Sequence, residues 1–374
     1  MPARSSPAVA PAPPSAPALA STPVAPSGRR ARMHAGNARN LAALARVLRR
    51  GGLVAVPTET VYGLAANALD AAACEEIFRA KGRPSTDPLI VHIATLADFS
   101  ALAHVNPAAL TLAKKFWPGP LTLVLPKTAL VPAVVSAGLP SVAVRMPAHP
   151  LFRRVLRLAG VPLAAPSANP FGYVSPTTAE HVRASLGGKI RHILDGGPCA
   201  HGLESTIIDL RRPARPRLLR PGPITRAQLE SALGVPVLAP PRGKTKATAA
   251  AQIAPGLLAR HYSPRTPVRL HARITPQVIA ASAHDAAGDN GAGDAWVYLA
   301  KPPPASGRRA SDRRAKNVFW LDARGELASA ARRLFALLRQ LDGAGFARLH
   351  VELAPGDAGL AAAINDRLRR AAAR

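Results

Sequence analysis

Short apolar runs alternate with stretches of helical spacing from residue 38 to residue 234. Runs at 53–56, 88–93, 120–126, 141–146, 161–165, 190–194 and 205–210 are largely apolar at successive positions, as in strands covered on both faces. Apolar residues three and four apart predict helices near 39–50, 71–80, 107–116, 149–159, 178–185 and 225–232. This alternation predicts an α/β domain with a mixed sheet over residues 37–234. From 235 to 266 the pattern breaks into a Pro-, Ala- and Lys-rich linker, long enough to do more than tether. A second α/β unit is expected over 267–374, with strands at 267–271, 295–299, 317–321 and 347–353. Its helices are expected at 275–282, 326–341 and 357–372, with mobile loops at 284–294 and 301–316. It has no dense polar loop, so a regulatory or structural role is expected of it.

Composition changes the picture mainly at the N-terminus. Residues 1–36 are rich in Ala, Pro and Ser and read as a disordered, extended tail, with Met33 an alternative start. No compact apolar stretch follows a basic start, so a secretory leader is not expected, and no apolar run is long enough to span a bilayer. Two unclustered cysteines, Cys74 and Cys199, exclude a Cys-rich zinc site and fit a reducing, cytoplasmic setting. The formal net charge of +28 fits nucleic-acid contact, but also an Arg-heavy composition spread along the chain. The dense clusters at 211–220 and 307–316 lack the interleaved aromatics of a stacking platform. The charge fits generic solubility or weak contact with tRNA or double-stranded RNA better than specific nucleic-acid binding by a basic patch.

Candidate chemistry lies in polar loops at strand ends, where ligands gather in open α/β sheets. PTET (57–60) offers the hydroxyls of Thr58 and Thr60 and the carboxylate of Glu59. KGRPSTDPL (81–89) places Lys81 and Arg83 between a helix and a strand, a placement suited to a polyanion such as a nucleotide triphosphate. Arg145, between apolar neighbours near a strand end, needs an anionic partner or an open cleft. APSAN (165–169) sets Ser167 and Asn169 in a tight turn, and SPT (175–177) precedes a helix. GLESTIIDL (202–210) brings Glu204, Ser205 and Thr206 to a strand start. Each has a plainer reading. PTET is also a turn or cap, and Lys81 and Arg83 are also exposed cations at a solvated helix end. His92 is also a satisfied core histidine, Arg145 half of an internal salt bridge, and SPT a simple N-cap. No GxxxxGK[ST] loop, GxGxxG opening a helix, GxSxG elbow, HExxH or kinase set is present.

In their order, PTETVYGL, FRAKGRP…PLIVHI, WPGPLTLVL, VAVRMP, APSAN, SPT, DGG…ESTIIDL and LLRPGPI resemble the YrdC/Sua5 family of threonylcarbamoyl-AMP synthases. ARHYSP in the linker and the α/β unit after it resemble the longer, two-domain Sua5 form. The resemblance implies a twisted, open, mixed YrdC-like sheet followed by a smaller Rossmann-like Sua5 C-terminal domain. It implies that L-threonine, bicarbonate or CO2 and ATP, with Mg²⁺, give L-threonylcarbamoyl-AMP and pyrophosphate. The product would pass to a separate transferase complex that makes N6-threonylcarbamoyladenosine (t6A) in tRNA.

By position, Lys81, Arg83, Ser167 and Asn169 match the family's catalytic tetrad. Arg83, Asp87, Ser141, Ser167, Ser175, Arg220 and Tyr262 match ATP contacts, with Tyr262 part of a lid. Thr58, His92, Arg145, Ala165 and Ser205 match the threonine pocket, with Arg145 expected on the amino-acid carboxylate. Asp87 stands where many members have Asn, which calls for an offset from Mg²⁺ or Lys81. An RNA-binding module, a HypF-type carbamoyl-adenylate enzyme and an inactive regulator are the competing readings. The second lacks its Cys-rich modules here, and the complete tetrad argues against the third.

Overall fold

The computed structural model describes residues 30–240, 251–258, 261–285, 293–303 and 317–373. The expected tail up to residue 29 and most of the two expected loops lie outside the described residues. The first unit is built on ten strands: β1 (Arg32–His34), β2 (Val54–Val56), β3 (Gly63–Asn67), β4 (Ile90–His92) and β5 (Leu121–Pro126). They continue with β6 (Ser141–Arg145), β7 (Leu163–Ala164), β8 (His192–Leu194), β9 (Thr206–Asp209) and β10 (Arg217–Arg220). The sheet runs β1-β8-β2-β3-β7-β4-β6-β5-β9-β10 and mixes parallel with antiparallel pairs, as expected. The expected tail is corrected at its end. Arg32–His34 pairs with His192–Leu194 as an edge strand, because the half-buried edge of β8 offers a parallel ladder.

Local sequence explains the helices. In α1 (Ala38–Arg49) the buried residues Leu41, Leu44, Ala45 and Leu48 fall on one stripe, and Asn37 caps the first turn. In α5 (Pro150–Ala159) Phe152, Val155, Leu156 and Ala159 do the same, and the two stripes share one apolar cluster over β2 and β7. Each fully buried Leu or Phe there contributes roughly 1.5–3 kcal/mol. The helix α6 (Ala179–Leu186) is capped by Thr178, whose side chain accepts from the His181 amide. SPT is therefore not the cap, because Ser175 turns inward to a carboxylate instead.

The second unit is a four-stranded parallel sheet of β11 (Val268–His271), β12 (Ala295–Ala300), β13 (Val318–Asp322) and β14 (Leu349–Glu352), ordered β11-β14-β12-β13. Helices α9 (Leu327–Asp342) and α10 (Gly359–Ala372) supply much of its core and also face the first unit. Arg339 of α9 donates to the carbonyls of Val174, Ser175 and His181 and lies 4.9 Å over the Tyr173 ring. Tyr173 donates to Asp342 at 2.7 Å, and Arg332 to the Ala200 carbonyl at 3.0 Å. Leu203 and Val174 of the first unit join the core of the second.

Candidate active site

Strand register assembles one wall of the site. His92 and Arg145 end the parallel neighbours β4 and β6 as direct partners, while Leu163 of β7 pairs with His92 from the other side. The Ala165 amide then bonds the Ile90 carbonyl at 3.0 Å, which starts the APSAN turn against this wall. PTET follows β2 and folds on itself: Thr58 Oγ1 donates to the Val61 carbonyl at 2.6 Å and lies 2.8 Å from Thr60 Oγ1. Arg145 extends into this loop. Its Nη1 donates to Thr60 Oγ1 at 2.9 Å, its Nε to the Gly119 carbonyl at 3.2 Å, and its Nη2 lies 2.7 Å from Glu59.

The opposite wall is cationic. Lys81 ends α2 (Ala71–Lys81) and donates to the carbonyls of Ser167, at 2.6 Å, and of Asn169. Arg83 donates to the carbonyls of Asp87 at 2.9 Å and Pro88 at 2.7 Å and forms a 3.0 Å ion pair with the Asp87 carboxylate. The expected exposure of these two cations is corrected: Lys81 is 2% and Arg83 7% exposed. The chain reverses at Gly82 in the left-handed region (φ +63°) and folds both side chains inward. The offset for Asp87 is also corrected in part. Its ion-pair partner is Arg83, with Lys81 and Arg220 acting at longer range. Arg220, at the end of β10, donates to Ser205 Oγ and to its carbonyl, both at 3.1 Å.

The linker supplies the roof. Ile253, Ala254 and Leu257 pack on Ile90, Val124, Ala143, Ile207 and Leu219, and the Pro255 carbonyl accepts from Arg220. Tyr262 is 1% exposed, with a left-handed φ of +62° that a non-glycine residue adopts only under strain. Its ring stacks on Phe335 of α9 at 5.5 Å. Under this roof remains a cavity of about 40 Å³, room for a few water molecules.

Eleven of the residues singled out in the sequence line this cavity: Thr58, Thr60, Arg83, His92, Arg145, Ala165, Ser167, Glu204, Ser205, Arg220 and Tyr262. Lys81, Asn169, Asp87 and Ser175 stand directly behind it, each bonded to lining or turn residues. Ser141 stands apart, buried at the start of β6 with its hydroxyl unbonded. His261 and Gly256 also line the cavity. The ARHYSP segment hinted at the histidine, and nothing in the sequence marked the glycine.

Burial and crowding of like charge set the electrostatics. Burial, then Arg83, push the Lys81 ammonium well below its ordinary range, and burial also lowers Arg83 and Arg220. Burial raises Asp87 against the pull of Arg83. His261 is lowered by burial and by the nearby cations Arg83, Lys81 and Arg220, so it is neutral at physiological pH. His92 is brought down to about 3 by burial and then by Arg145. Burial would raise Glu59, but the Arg145 charge and hydrogen bonding bring it below the usual carboxylate range. The site is a pair of neutral imidazoles among closely spaced, partly desolvated cations, an arrangement that stabilises a bound polyanion.

Residues 46–222 match the Sua5_yciO_yrdC family model, described as "Telomere recombination". Residues 224–373 match the model described as "Threonylcarbamoyl-AMP synthase, C-terminal domain". The chain belongs to the Sua5/YrdC family. It is 51% identical over 223 residues to a threonylcarbamoyl-AMP synthase of Pyrococcus abyssi, covering 59% of this chain and 64% of that protein. It is 48% identical over 233 residues to one of Bacillus subtilis, covering 62% and 66%. The aligned stretch thus spans just under two thirds of these relatives. The solved structure of P. abyssi Sua5 complexed with L-threonine superposes with a TM-score of 0.80 at 38% identity, covering 91% of this chain and 97% of that one. Both units therefore belong to the two-domain Sua5 form.

Proposed function

We propose that this protein makes L-threonylcarbamoyl-AMP from L-threonine, bicarbonate or CO2 and ATP, with release of pyrophosphate. The observation that carries this reading is the single cavity in which Thr58, His92, Arg145 and Ser205 meet Arg83, Ser167, Arg220 and Tyr262. The name and the bound L-threonine of the P. abyssi relatives support it.

The chemistry needs no protein nucleophile. The threonine amine adds to CO2 and loses a proton, giving a carbamate. A carbamate oxygen attacks the α-phosphorus, and the bond from that phosphorus to the pyrophosphate oxygen breaks. The protein contributes orientation and charge. Lys81 holds the APSAN turn through the carbonyls of Ser167 and Asn169 and, on this reading, directs its charge to the phosphates from behind the cavity. Arg83, Ser167 and Arg220 hold the nucleotide, with Asn169, Asp87 and Ser175 behind them and Ser141 an outlying ATP contact. Thr58, His92, Ala165 and Ser205 enclose threonine, and Arg145 shares its guanidinium between Glu59 and the substrate carboxylate. The plainer reading of Arg145, an internal salt bridge, is thus present as well. The linker residues Pro255, Gly256, His261 and Tyr262 line the cavity, and their closure over bound substrates would shield a labile mixed anhydride from water.

No group of three or more His, Cys, Asp or Glu side chains suited to a metal occurs among the described residues, and Asp87 is occupied by Arg83. Mg²⁺ is proposed to enter as part of the substrate MgATP. The product would go to a transferase that modifies adenosine N6 in tRNA. A second reading, contact with RNA phosphates, is favoured by Arg211, Arg212, Arg215 and Arg217 around a pocket at the β9–β10 turn. Among the described residues no helix is long and apolar enough to cross a membrane. Pyrophosphate release from MgATP and bicarbonate tests the proposal: it should require L-threonine, and release indifferent to the amino acid would overturn it.

A further inference from the structure

Arg367 belongs to the last helix of the second unit, yet its guanidinium is fully buried against Glu204 of the first unit, behind the cavity wall. Its Nε donates to Glu204 Oε2 at 2.8 Å and its Nη2 reaches the Glu204 carbonyl at 3.5 Å. Its Nη1 pairs with Asp366 at 2.8 Å, and its guanidinium carbon lies 5.4 Å from the centre of the Tyr262 ring. The other Glu204 oxygen accepts from Ser175 at 2.6 Å. Glu204 and Tyr262 both line the cavity beside Arg220.

Docking of the two units does not account for this arrangement. Arg339 and Arg332 already join them through backbone carbonyls. Burying a further guanidinium against a carboxylate carries a desolvation penalty that the pairing roughly offsets, so it is weak evidence for stability alone. Its geometric effect is specific. Glu204 is the carboxylate next in chain to Ser205, the residue that receives Arg220, and Glu204 and Arg220 already attract one another. A Glu204 released from Arg367 would turn to Arg220 and neutralise a cation proposed to hold the nucleotide.

We infer that Arg367 is a positioning residue supplied by the second unit: it holds Glu204 away from Arg220 and seats Tyr262, keeping the nucleotide side of the cavity cationic and closed. The inference deepens the synthase reading and rests on it. It assigns the second unit a direct part in building the site.

The test uses the full chain with Arg367→Leu, Arg367→Lys and the double variant Arg367→Leu/Glu204→Gln. ATP affinity is measured by calorimetry without threonine, and KM for ATP and threonine by pyrophosphate release. Arg367→Leu should weaken ATP binding and raise its KM about tenfold or more, with the threonine KM within about twofold. Arg367→Lys should recover part of the loss, because a single ammonium still pairs with Glu204. Adding Glu204→Gln should restore ATP affinity toward wild type, because a neutral amide no longer competes for Arg220. If Arg367→Leu does not fold, the double variant decides, since it removes the buried charges together. Unchanged ATP affinity in Arg367→Leu, equal loss for both substrates, or no recovery in the double variant would overturn the inference. Wild-type protein without threonine-dependent turnover would defeat the synthase reading, while the calorimetric comparison would still decide the role of Arg367.

Discussion

Arg145 and Glu59 face one another at 2.7 Å inside the first unit, their side chains 4% and 8% exposed. The pair ties the end of β6 to the PTET loop, and Arg145 also bonds Thr60 and the Gly119 carbonyl. Two elements far apart in sequence are thereby fixed around the place where a substrate carboxylate would bind. Removing Arg145 leaves a buried carboxylate without its partner, so Arg145→Ala should destabilise the protein by about 3–5 kcal/mol in denaturant melts. Arg145→Lys keeps the charge but loses the planar fork, and should raise the threonine KM about tenfold with the ATP KM little changed.

Asp87 and Arg83 form the equivalent pair on the nucleotide side. Asp87→Asn removes a negative charge from among Lys81, Arg83 and Arg220. The ATP KM should fall several-fold, and thermal stability should fall as well because the crowded cations lose their offset. A rise in ATP KM would show that the carboxylate helps to bind nucleotide.

Gly256 has a φ of +77°, and a Cβ there would lie 2.8 Å from Tyr262 Oη and 3.0 Å from Arg220 Nη1. Gly256→Ala should therefore hinder seating of the roof. Turnover should fall about tenfold or more, while global stability changes by only about 1 kcal/mol, the ordinary cost of a left-handed alanine. Steady-state kinetics beside a thermal melt separate the two effects.

His92 titrates near 3 in the folded chain because it is buried beside Arg145, and near 6.5 when unfolded. Between those values the unfolded state binds the extra proton, so stability is complete above about pH 6.5 and is lost as pH falls toward 3. The slope from this residue approaches about 1.4 kcal/mol per pH unit. Glu59, lowered by Arg145, adds a loss at the acidic end of the same range. His92→Gln should flatten the curve between about pH 6 and 4 in denaturant melts at fixed ionic strength.

Strands such as Leu121–Pro126 were legible in the sequence because their apolar runs are continuous. Gly63–Asn67 was not, because its small residues carry little strand preference and become a strand only between β2 and β7. The polar loops were legible as a set, and most of their residues meet at the cavity. The burial of Lys81 and Arg83 was hidden because the end of α2 has the sequence of a solvated helix terminus, until the APSAN carbonyls come to meet it. Arg367 was hidden most deeply: one arginine among several in a helix, its partner Glu204 lies 163 residues away in the other unit.

The central claim is tested most directly by mass spectrometry of the nucleotide products formed from MgATP, L-threonine and isotope-labelled bicarbonate. The account expects an adenylate that carries the threonyl group and the labelled carbon, formed with pyrophosphate and absent with Lys81→Ala. ATP turnover that yields no such adenylate would contradict it.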